Sequence, residues 1–163
     1  FFFTAHNHEP LIERPKPFGD DAIPAGNGIV AYILSRLGHL LDKPQYLEAA
    51  ERTLKAAWSS IEQLPYAHCT LLLALEEYLY PPQIIILRGK PGPLHLWKQR
   101  CISTYAPRRL CLAIPNDESS LPEGLEAKKP DNQHEVVAYV CSGTTCQPPV
   151  TSLDDLESQL VAE

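Results

Sequence analysis

Helical periodicity of apolar residues is absent from the first 25 residues and begins directly after them. Prolines and a glycine punctuate this opening segment, which predicts an extended loop ending in a turn: Pro10, Pro15, Pro17, Gly19 and Pro24. From Asn27, a favourable capping residue, apolar positions recur every four residues as far as Leu41. This spacing predicts a first helix, which Asp42-Lys43-Pro44 terminates.

Two more helices are predicted in the first half of the chain. Pro44 suits the first turn of a helix, and the apolar positions after it step by three and four residues as far as Ile61. Because the connection to the first helix is tight, we expect these two helices to be antiparallel. A third helix is predicted from about residue 67 to 80. It has apolar residues on nearly every face, so it requires neighbours on several sides.

The period of the pattern changes after Pro81-Pro82. An apolar run at 83–87, an amphipathic helix at 94–105 and a second apolar run at 109–114 follow in the order strand, helix, strand. A third strand is expected at 136–140, and Ser152 caps a final helix. The predicted fold is therefore a three-helix part, residues 1–81, followed by a small α/β unit, residues 82–163. We expect a parallel three-stranded sheet with the 83–87 strand at its centre.

Composition narrows the class of protein. The chain has 163 residues, of which 44% are hydrophobic and 21% charged, so it has enough apolar residues for a core and is neither disordered nor collagen-like. Its net charge of -6 and the lack of a long basic run argue against nucleic acid as a partner. No apolar stretch approaches the roughly 20 residues that span a bilayer, so no membrane partner is expected.

The start of the chain and its cysteines bear on its origin. The sequence begins with Phe1-Phe2-Phe3 and contains no methionine, which we interpret as the sign of a C-terminal fragment of a longer protein. It begins with neither a basic segment nor a small-residue cleavage site, so no secretion signal is visible. Five cysteines are an odd number, whereas a secreted framework would usually pair them evenly. We therefore expect a reducing compartment, the cytoplasm.

The sharpest local feature is a pair of cysteines, Cys141 and Cys146, at the end of the third predicted strand. Gly143 between them frees the backbone to turn, and so short a loop brings two Cβ atoms within bridging range. Three interpretations are open: a redox dithiol, half of a metal site, and unreactive structural thiols. In a strand end and the loop after it, the two Cα atoms should lie within about 7 Å. Only two of the four ligands of a zinc site are visible, and we predict neither a metal nor a cofactor.

A second cluster of ionisable residues lies in the opening loop: His6, His8, Glu9, Glu13, Arg14, Lys16, Asp20 and Asp21. A His-x-His spacing on an extended strand suits a metal, and paired carboxylates suit glycosidic or proton-transfer chemistry. The alternative is a set of solvated loop charges. We interpret Trp58 and Trp97 as packing anchors rather than sugar-stacking platforms.

Several segments, in this order, resemble the C-terminal end of the spermatogenesis-associated protein 20 family. They are F-T-A-H-N-H-E-P-L-I-E-R-P-K-P-F-G-D-D-A-I-P-A-G-N, P-P-Q-I-I-I-L-R-G and A-Y-V-C-S-G-T-T-C-Q-P-P-V, and the resemblance covers nearly the whole chain. Members of that family combine an N-terminal thioredoxin-like domain with an (α/α)6 toroid of the six-hairpin glycosidase kind, related to N-acylglucosamine 2-epimerases. The resemblance implies that residues 1–81 are the last loop and helices of the toroid, and that residues 82–163 are its C-terminal appendage. The thioredoxin-like domain and the rest of the toroid would then be partners missing from this chain.

The resemblance also implies roles for residues of the opening loop. The residues that match the family's pattern are His8, Glu9, Arg14, Lys16, Asp20, Pro24, Gly26 and Asn27. Ala25 stands where serine is usual, and Asp21 stands where glycine is usual. Related toroid enzymes bind sugars at such loops, which makes Arg14, Asn27 and His8 candidate binding residues and Glu9 and Asp20 candidate catalytic residues.

Three functional hypotheses follow for the chain. The first is a carbohydrate-related activity of the full-length protein, to which this chain contributes one wall of the cavity. The second is a thiol relay in which Cys141 and Cys146 exchange with the thioredoxin-like domain. The third is a structural piece without chemistry of its own, and we expect the isolated chain to be inactive. Its wide apolar helix surface then predicts either self-association or a fold-back of Phe1-Phe2-Phe3.

Overall fold

The computed structural model describes residues 1–2, 4–10 and 12–160, which fall into two units. The first unit comprises Phe1–His39 and Lys43–Tyr80, and the second comprises Leu40–Asp42 and the chain from Pro81 onward. Apart from Leu40–Asp42, the second unit therefore begins at the proline pair where the sequence pattern changes period.

After the opening loop, the first unit is built on three α-helices: α1 at Gly26–Leu40, whose last residue is assigned to the second unit, α2 at Pro44–Gln63 and α3 at Cys69–Leu79. A short 3-10 helix at Pro65–Ala67 precedes α3, so the third helix begins slightly later than its apolar pattern predicts. Buried residues of all three helices share one hydrophobic cluster, which contains Ala31 of α1, Leu54 of α2 and Leu71 of α3.

Small residues, rather than the large apolar ones, form the buried face of α1: Asn27, Gly28, Ala31, Ser35 and Gly38. A Cβ atom at Gly28 would lie 2.8 Å from the Cβ atom of Thr70 in α3, which leaves no room for a side chain. The close approach of the two helices therefore depends on this small residue. Ile29 and Ile33 belong to the four-residue repeat that predicts the helix, yet they remain 38% and 45% exposed.

A buried ion pair joins α1 to α3. The Arg36 guanidinium donates through Nε to both carboxylate oxygens of Glu77 at 2.8 Å, and Glu77 is 2% exposed. The same guanidinium lies over the ring of Tyr32, 4.4 Å from its centroid. Arg36 thus compensates a negative charge that would otherwise be costly in this interior.

Among the described residues, the second unit contains a sheet of four strands and three helices. The strands are β1 (Gln83–Gly89), β2 (Arg109–Pro115), β3 (Val136–Ser142) and β4 (Thr145–Cys146), and the helices are α4 (Pro91–Ile102), α5 (Glu123–Glu126) and α6 (Leu153–Ser158). Ser152 caps α6 as predicted, since its Oγ accepts a hydrogen bond from the Asp155 N–H at 3.4 Å. No helix in this or the other described part of the chain combines the length and apolar character needed to span a bilayer.

The sheet is mixed, and the prediction of a wholly parallel sheet is wrong. Its strand order is β2-β1-β3-β4, so β1 is central as predicted, but β1 pairs in parallel with β2 and antiparallel with β3. Gly89 at the end of β1 pairs both with Pro115 at the end of β2 and with Val136 at the start of β3. The loop of residues 116–135 therefore leaves and re-enters the sheet at the same end of the strands. A parallel third strand would require a crossover back to the opposite end of the strands, usually by a long helix, whereas α5 has 4 residues.

Both faces of β1 are covered, as its continuous apolar run requires. Ile85 lies in a cluster with Trp97 of α4 and Leu156 of α6. Ile86 lies on the opposite face, in a cluster with Leu125 of α5. The two faces of the sheet therefore have separate cores.

The two tryptophans have different environments. Trp97 in α4 is 8% exposed and belongs to the core, as predicted. Trp58 in α2 is 50% exposed, so the prediction of a packing anchor is wrong for this residue. The inward position of that turn is taken by Ala57, which is fully buried.

Candidate functional site: a thiol pair beside a lysine

The candidate site with the most chemical content is the disulfide between Cys141 and Cys146 in the second unit. The two residues lie opposite each other in the pairing of β3 with β4. Their Cα atoms are 3.9 Å apart, which confirms the prediction that the two positions lie within bridging range. Of the three interpretations that the spacing leaves open, joined thiols exclude a metal half-site in this state.

A turn of two residues, Gly143 and Thr144, brings the cysteines together. Gly143 has a φ of 58°, a left-handed conformation that glycine adopts without the strain other residues meet. Ser142 and Thr145 pair directly on either side of the turn. The hairpin is therefore specified by its own turn and strand pairing.

The two sulfur atoms have different surroundings. Cys141 is 8% exposed and lies in the cluster that contains Ile86, whereas Cys146 is exposed. The Lys128 ammonium donates a hydrogen bond to Cys146 Sγ over 3.2 Å. A positive charge at this distance stabilises a thiolate, which is the form that acts as nucleophile and leaving group in disulfide exchange.

Neighbouring contacts hold Lys128 in place. Its backbone N–H donates to the carbonyl of Leu125 at 3.0 Å, and its ammonium lies 5.6 Å from the centroid of the Tyr139 ring. The Tyr139 hydroxyl donates to the carbonyl of Lys129 at 2.7 Å, so β3 anchors the loop that carries the lysine. Burial, supported by the charge of Asp131, raises the pKa of Tyr139, which keeps this hydroxyl protonated as a donor.

The sequence pattern does not indicate a functional role for Lys128. The lysine precedes Cys146 by 18 residues and lies in a polar loop without a regular period. Periodicity relates residues within one element, and a contact between a loop and a hairpin has no such spacing rule. The signal that remains in the sequence is the basic pair Lys128-Lys129 itself.

In the first unit, the structure places Asp20 at the starts of two helices. Its Oδ1 accepts hydrogen bonds from the Ala25 N–H and the Thr70 hydroxyl, both at 2.7 Å, and its Oδ2 accepts one from the Thr70 N–H at 2.8 Å. Burial opposes ionisation of this carboxyl, but the three hydrogen bonds outweigh it and lower the pKa of Asp20. Both oxygens thus serve the starts of α1 and α3, where negative charge is also favoured by the helix dipoles.

Arg14 and Asn27 also make contacts within the opening loop. Arg14 Nη2 donates to the carbonyl of Thr4 at 2.9 Å. Asn27 is 4% exposed, and its Nδ2 donates to the carbonyls of Phe1 and Pro17 at 3.0 and 2.9 Å. These contacts fix the path of the loop, and the roles in sugar binding that the resemblance implies stay predictions.

His8 and Glu9 are exposed in the same loop. The His8 ring lies 3.2 Å, through Nδ1, from the carbonyl oxygen of Glu9. A glycosidase needs two carboxylates roughly 5–10 Å apart. Both oxygens of Asp20 accept hydrogen bonds at the helix starts, and the catalytic roles of Glu9 and Asp20 stay predictions. In residues 1–2, 4–10 and 12–160, no three His, Cys, Asp or Glu side chains are arranged to hold a metal ion.

Comparison with known proteins finds a distant relative, an uncharacterized protein of Caenorhabditis elegans. The chain is 23% identical to it over 159 residues, which are 96% of this chain and 22% of the relative. The chain therefore spans less than a quarter of the length of that relative. No protein-family model matches the chain, and no solved structure matches it.

Proposed function

We propose that Cys141 and Cys146 are a redox-active pair that exchanges its disulfide with a dithiol partner. The observation that carries the proposal is the Lys128 ammonium, 3.2 Å from the exposed sulfur of Cys146. A purely structural disulfide gains nothing from a cation next to one of its sulfur atoms. An exchanging disulfide does gain from it, because each cycle releases a thiolate at that sulfur and the cation stabilises it.

The fold of the hairpin supports the proposal because other contacts hold it in place. Ala138 and Val150 exchange two backbone hydrogen bonds, of 2.8 and 3.0 Å, and the Gln147 N–H donates to the carbonyl of Val140 at 2.9 Å. Closing so short a loop by a disulfide stabilises a protein by about 2 kcal/mol in the chain-entropy account. Reduction should therefore leave the second unit folded.

The exchange is a two-step thiol reaction. A thiolate of the partner attacks the exposed Cys146 sulfur, the S–S bond breaks, and Cys141 leaves with the electron pair and takes up a proton. The partner's second thiolate then attacks the partner's first sulfur, and Cys146 leaves as a thiolate beside Lys128. The partner's two thiols lose two electrons, and the Cys141–Cys146 pair gains them.

The first turn of α4 does not carry the thiol motif that is usual for a redox domain. A Cys-x-x-Cys motif beside a βαβ unit marks the usual redox site of thioredoxin-like domains. Here β1, α4 and β2 form such a unit, but α4 begins Pro91-Gly92-Pro93-Leu94, without cysteine. In the proposal, the dithiol comes from the partner instead.

The partner in this proposal is the thioredoxin-like domain that the resemblance implies for the full-length protein. The proposed location is the cytoplasm, where persistent disulfides are rare and those that form are usually catalytic or redox-sensing. A pair that cycles fits that environment better than a permanent crosslink does.

The test measures how fast Cys146 is alkylated by iodoacetamide at neutral pH after reduction of the chain, with peptide mass spectrometry as the readout. Replacing the ammonium in Lys128→Gln should slow alkylation about fivefold, because an exposed charge at about 4 Å contributes about 1 kcal/mol. The matched control is Lys129→Gln, because Lys129 contacts Tyr139 through its backbone carbonyl rather than its side chain. In this variant Cys146 should be alkylated at the same rate as in the unsubstituted chain. Equal rates for Lys128→Gln and Lys129→Gln would refute the role of Lys128.

A second candidate function is the carbohydrate-related activity of the full-length protein, with the first unit as part of a toroid. Its support is the opening loop, which Asp20 ties to the starts of α1 and α3 while Glu9 stays exposed. Screening the full-length parent for bound sugars tests it. Loss of binding in Glu9→Gln but not in the exposed Glu13→Gln would support a role for Glu9, and a parent that retains no sugar would contradict the proposal.

A further inference from the structure

A second pair of cysteines lies on the other face of the sheet. Cys101 in α4 and Cys111 in β2 pack with Ile85, whereas Cys141 packs with Ile86 on the opposite face. The sheet therefore lies between the two pairs. Chemistry at Cys101 and Cys111 is independent of the exchange proposed above, and failure of one proposal leaves the other standing.

A hollow of about 330 Å³ opens beside this second pair. It lies between the end of α4 and the start of β2, and its wall includes both cysteines, Tyr105 and Arg109. Ligand pockets in proteins have volumes of about 300–1,000 Å³, so the hollow suits a small molecule. Cys101 is fully buried and Cys111 half-buried, so Cys111 is the thiol that such a molecule meets first.

Arg109 brings a positive charge to the hollow in a fixed position. Its Nη1 donates to the carbonyl of Cys101 and its Nε to the side-chain oxygen of Gln83, both at 3.0 Å. Lys98 on α4 places a second positive charge near Cys111. A small molecule that carries negative charge is therefore favoured there.

The two thiols also interact with each other. A side-chain interaction with the Cys111 thiol, together with the charge of Arg109, lowers the pKa of Cys101 against the effect of burial. The same interaction, and then burial, raise the pKa of Cys111. Cys101 is thus the sulfur that ionises first, and it is placed to accept the proton of Cys111.

We propose that Cys101 and Cys111 form a second thiol site, at which a small anionic disulfide binds in the hollow and oxidises the pair. The Cys101 thiolate takes the proton of Cys111, the Cys111 sulfur attacks one sulfur of the small disulfide, and the first small thiolate leaves with the electrons of the broken bond. Cys101 gives that proton to the departing thiolate and attacks the Cys111 sulfur, which releases the second small thiolate. The small disulfide gains two electrons, and the two cysteines lose them as they join.

The first test treats the reduced chain with oxidised glutathione and maps its cysteines by peptide mass spectrometry. Glutathione should appear transiently on Cys111, followed by a disulfide that links the peptides of Cys101 and Cys111. In Cys101→Ser the second step is blocked, so glutathione should remain on Cys111. Glutathione on the exposed Cys69 without any on Cys111 would overturn the proposal.

The second test asks whether the hollow selects negative charge. Arg109→Gln should slow the reaction of Cys111 with oxidised glutathione about tenfold, because a charged cleft raises encounter rates by at least this factor. The same variant should slow the reaction with cystamine, a small cationic disulfide, much less, because only the effect of Arg109 on Cys101 is lost there. Arg108→Gln removes the same charge from a residue outside the wall of the hollow and is the matched control. Equal slowing with both disulfides would contradict the assignment of an anionic ligand.

A third measurement applies if Cys101→Ser fails to fold. Phenylarsine oxide bridges adjacent thiols, and in the unsubstituted reduced chain it should protect Cys101 and Cys111 together from later alkylation. Alkylation of either cysteine in its presence would show that the two thiols do not act as a pair.

Discussion

Asp20 is a loop residue whose carboxylate holds two helix starts at once. The sequence around Asp20 is compatible with a catalytic acid and with a helix cap. The contact that identifies the cap is with Thr70, 50 residues away. The three hydrogen bonds to its oxygens give it a structural role in the first unit, and its catalytic role stays a prediction. A capping interaction over this separation has no signature in the local sequence.

Asp20→Asn should destabilise the first unit and reduce its sensitivity to acid. Because the folded pKa of Asp20 lies below the unfolded value of about 3.9, its carboxylate contributes stability that is present above about pH 4 and lost as the pH falls through the folded pKa. We expect a loss of about 1–2 kcal/mol at neutral pH, since asparagine keeps one acceptor oxygen and no charge. Thermal unfolding at neutral and acidic pH measures this, with the exposed Asp21→Asn as control. Equal stability of Asp20→Asn and the unsubstituted chain at neutral pH would argue against the capping role.

The cysteines show what residue spacing can and cannot predict. Cys141 and Cys146 are close in sequence and flank a glycine, so chain geometry alone places them within bridging range. Cys101 and Cys111 meet because a helix and a strand pack together, and no spacing rule in the sequence indicates that contact. Lys128 reaches Cys146 for a similar reason. The sequence therefore predicts the local pair Cys141 and Cys146. Only the fold reveals the contact of Lys128 with this pair and the second pair, Cys101 and Cys111.

At the scale of elements, α1 illustrates how periodicity finds a helix without identifying its packed face. The four-residue apolar repeat that contains Ile29 and Ile33 predicts the helix correctly. The face that packs is built from small residues, because α1 approaches Thr70 of α3 closely at Gly28. A pattern of hydrophobic residues contains no information on the distance between helices, so it does not predict this contact.

Gly28→Ala should destabilise the first unit by about 1–2 kcal/mol, because overpacking a close contact outweighs the gain in helix propensity. The added methyl group would lie 2.8 Å from the Cβ atom of Thr70 and 3.1 Å from the backbone nitrogen of Leu71, which cannot easily move. At Gly26, the first residue of the same helix, a Cβ atom meets nothing within 4 Å. Gly26→Ala should therefore be neutral or slightly stabilising in denaturant unfolding. Equal midpoints for the two variants would contradict the close approach.

The strands were predictable, but the direction of one of them was not. The apolar runs of β1, β2 and β3 are visible in the sequence, and the continuous run of β1 indicates that it is central. A strand's residue pattern is the same in either direction, so direction depends on the connection. The loop of residues 116–135 is long enough for a crossover, yet it returns to the sheet at the same end of the strands.

At the scale of the whole molecule, the first unit exposes large apolar side chains on its helices. Leu73 and Leu79 of α3 are 55% and 58% exposed. The Phe1 carbonyl accepts a hydrogen bond from Asn27. The guanidinium carbon of Arg14 lies 4.3 Å from the centroid of the Phe2 ring. Two of the three opening phenylalanines thus fold back onto the loop and the start of α1, and the third lies outside the described residues. Self-association of the isolated chain stays a prediction.

We propose that the Cys141–Cys146 disulfide of the second unit exchanges reversibly while the fold is kept. The most direct measurement equilibrates the chain in glutathione buffers of graded redox poise, traps free thiols by alkylation, and determines the oxidised fraction of this pair by peptide mass spectrometry. Circular dichroism of the same samples reports the fold. We predict that the oxidised fraction changes continuously and reversibly with redox poise, while the circular dichroism stays constant. A pair that remains oxidised throughout, or that is reduced only as the chain unfolds, would contradict the account and identify the disulfide as structural.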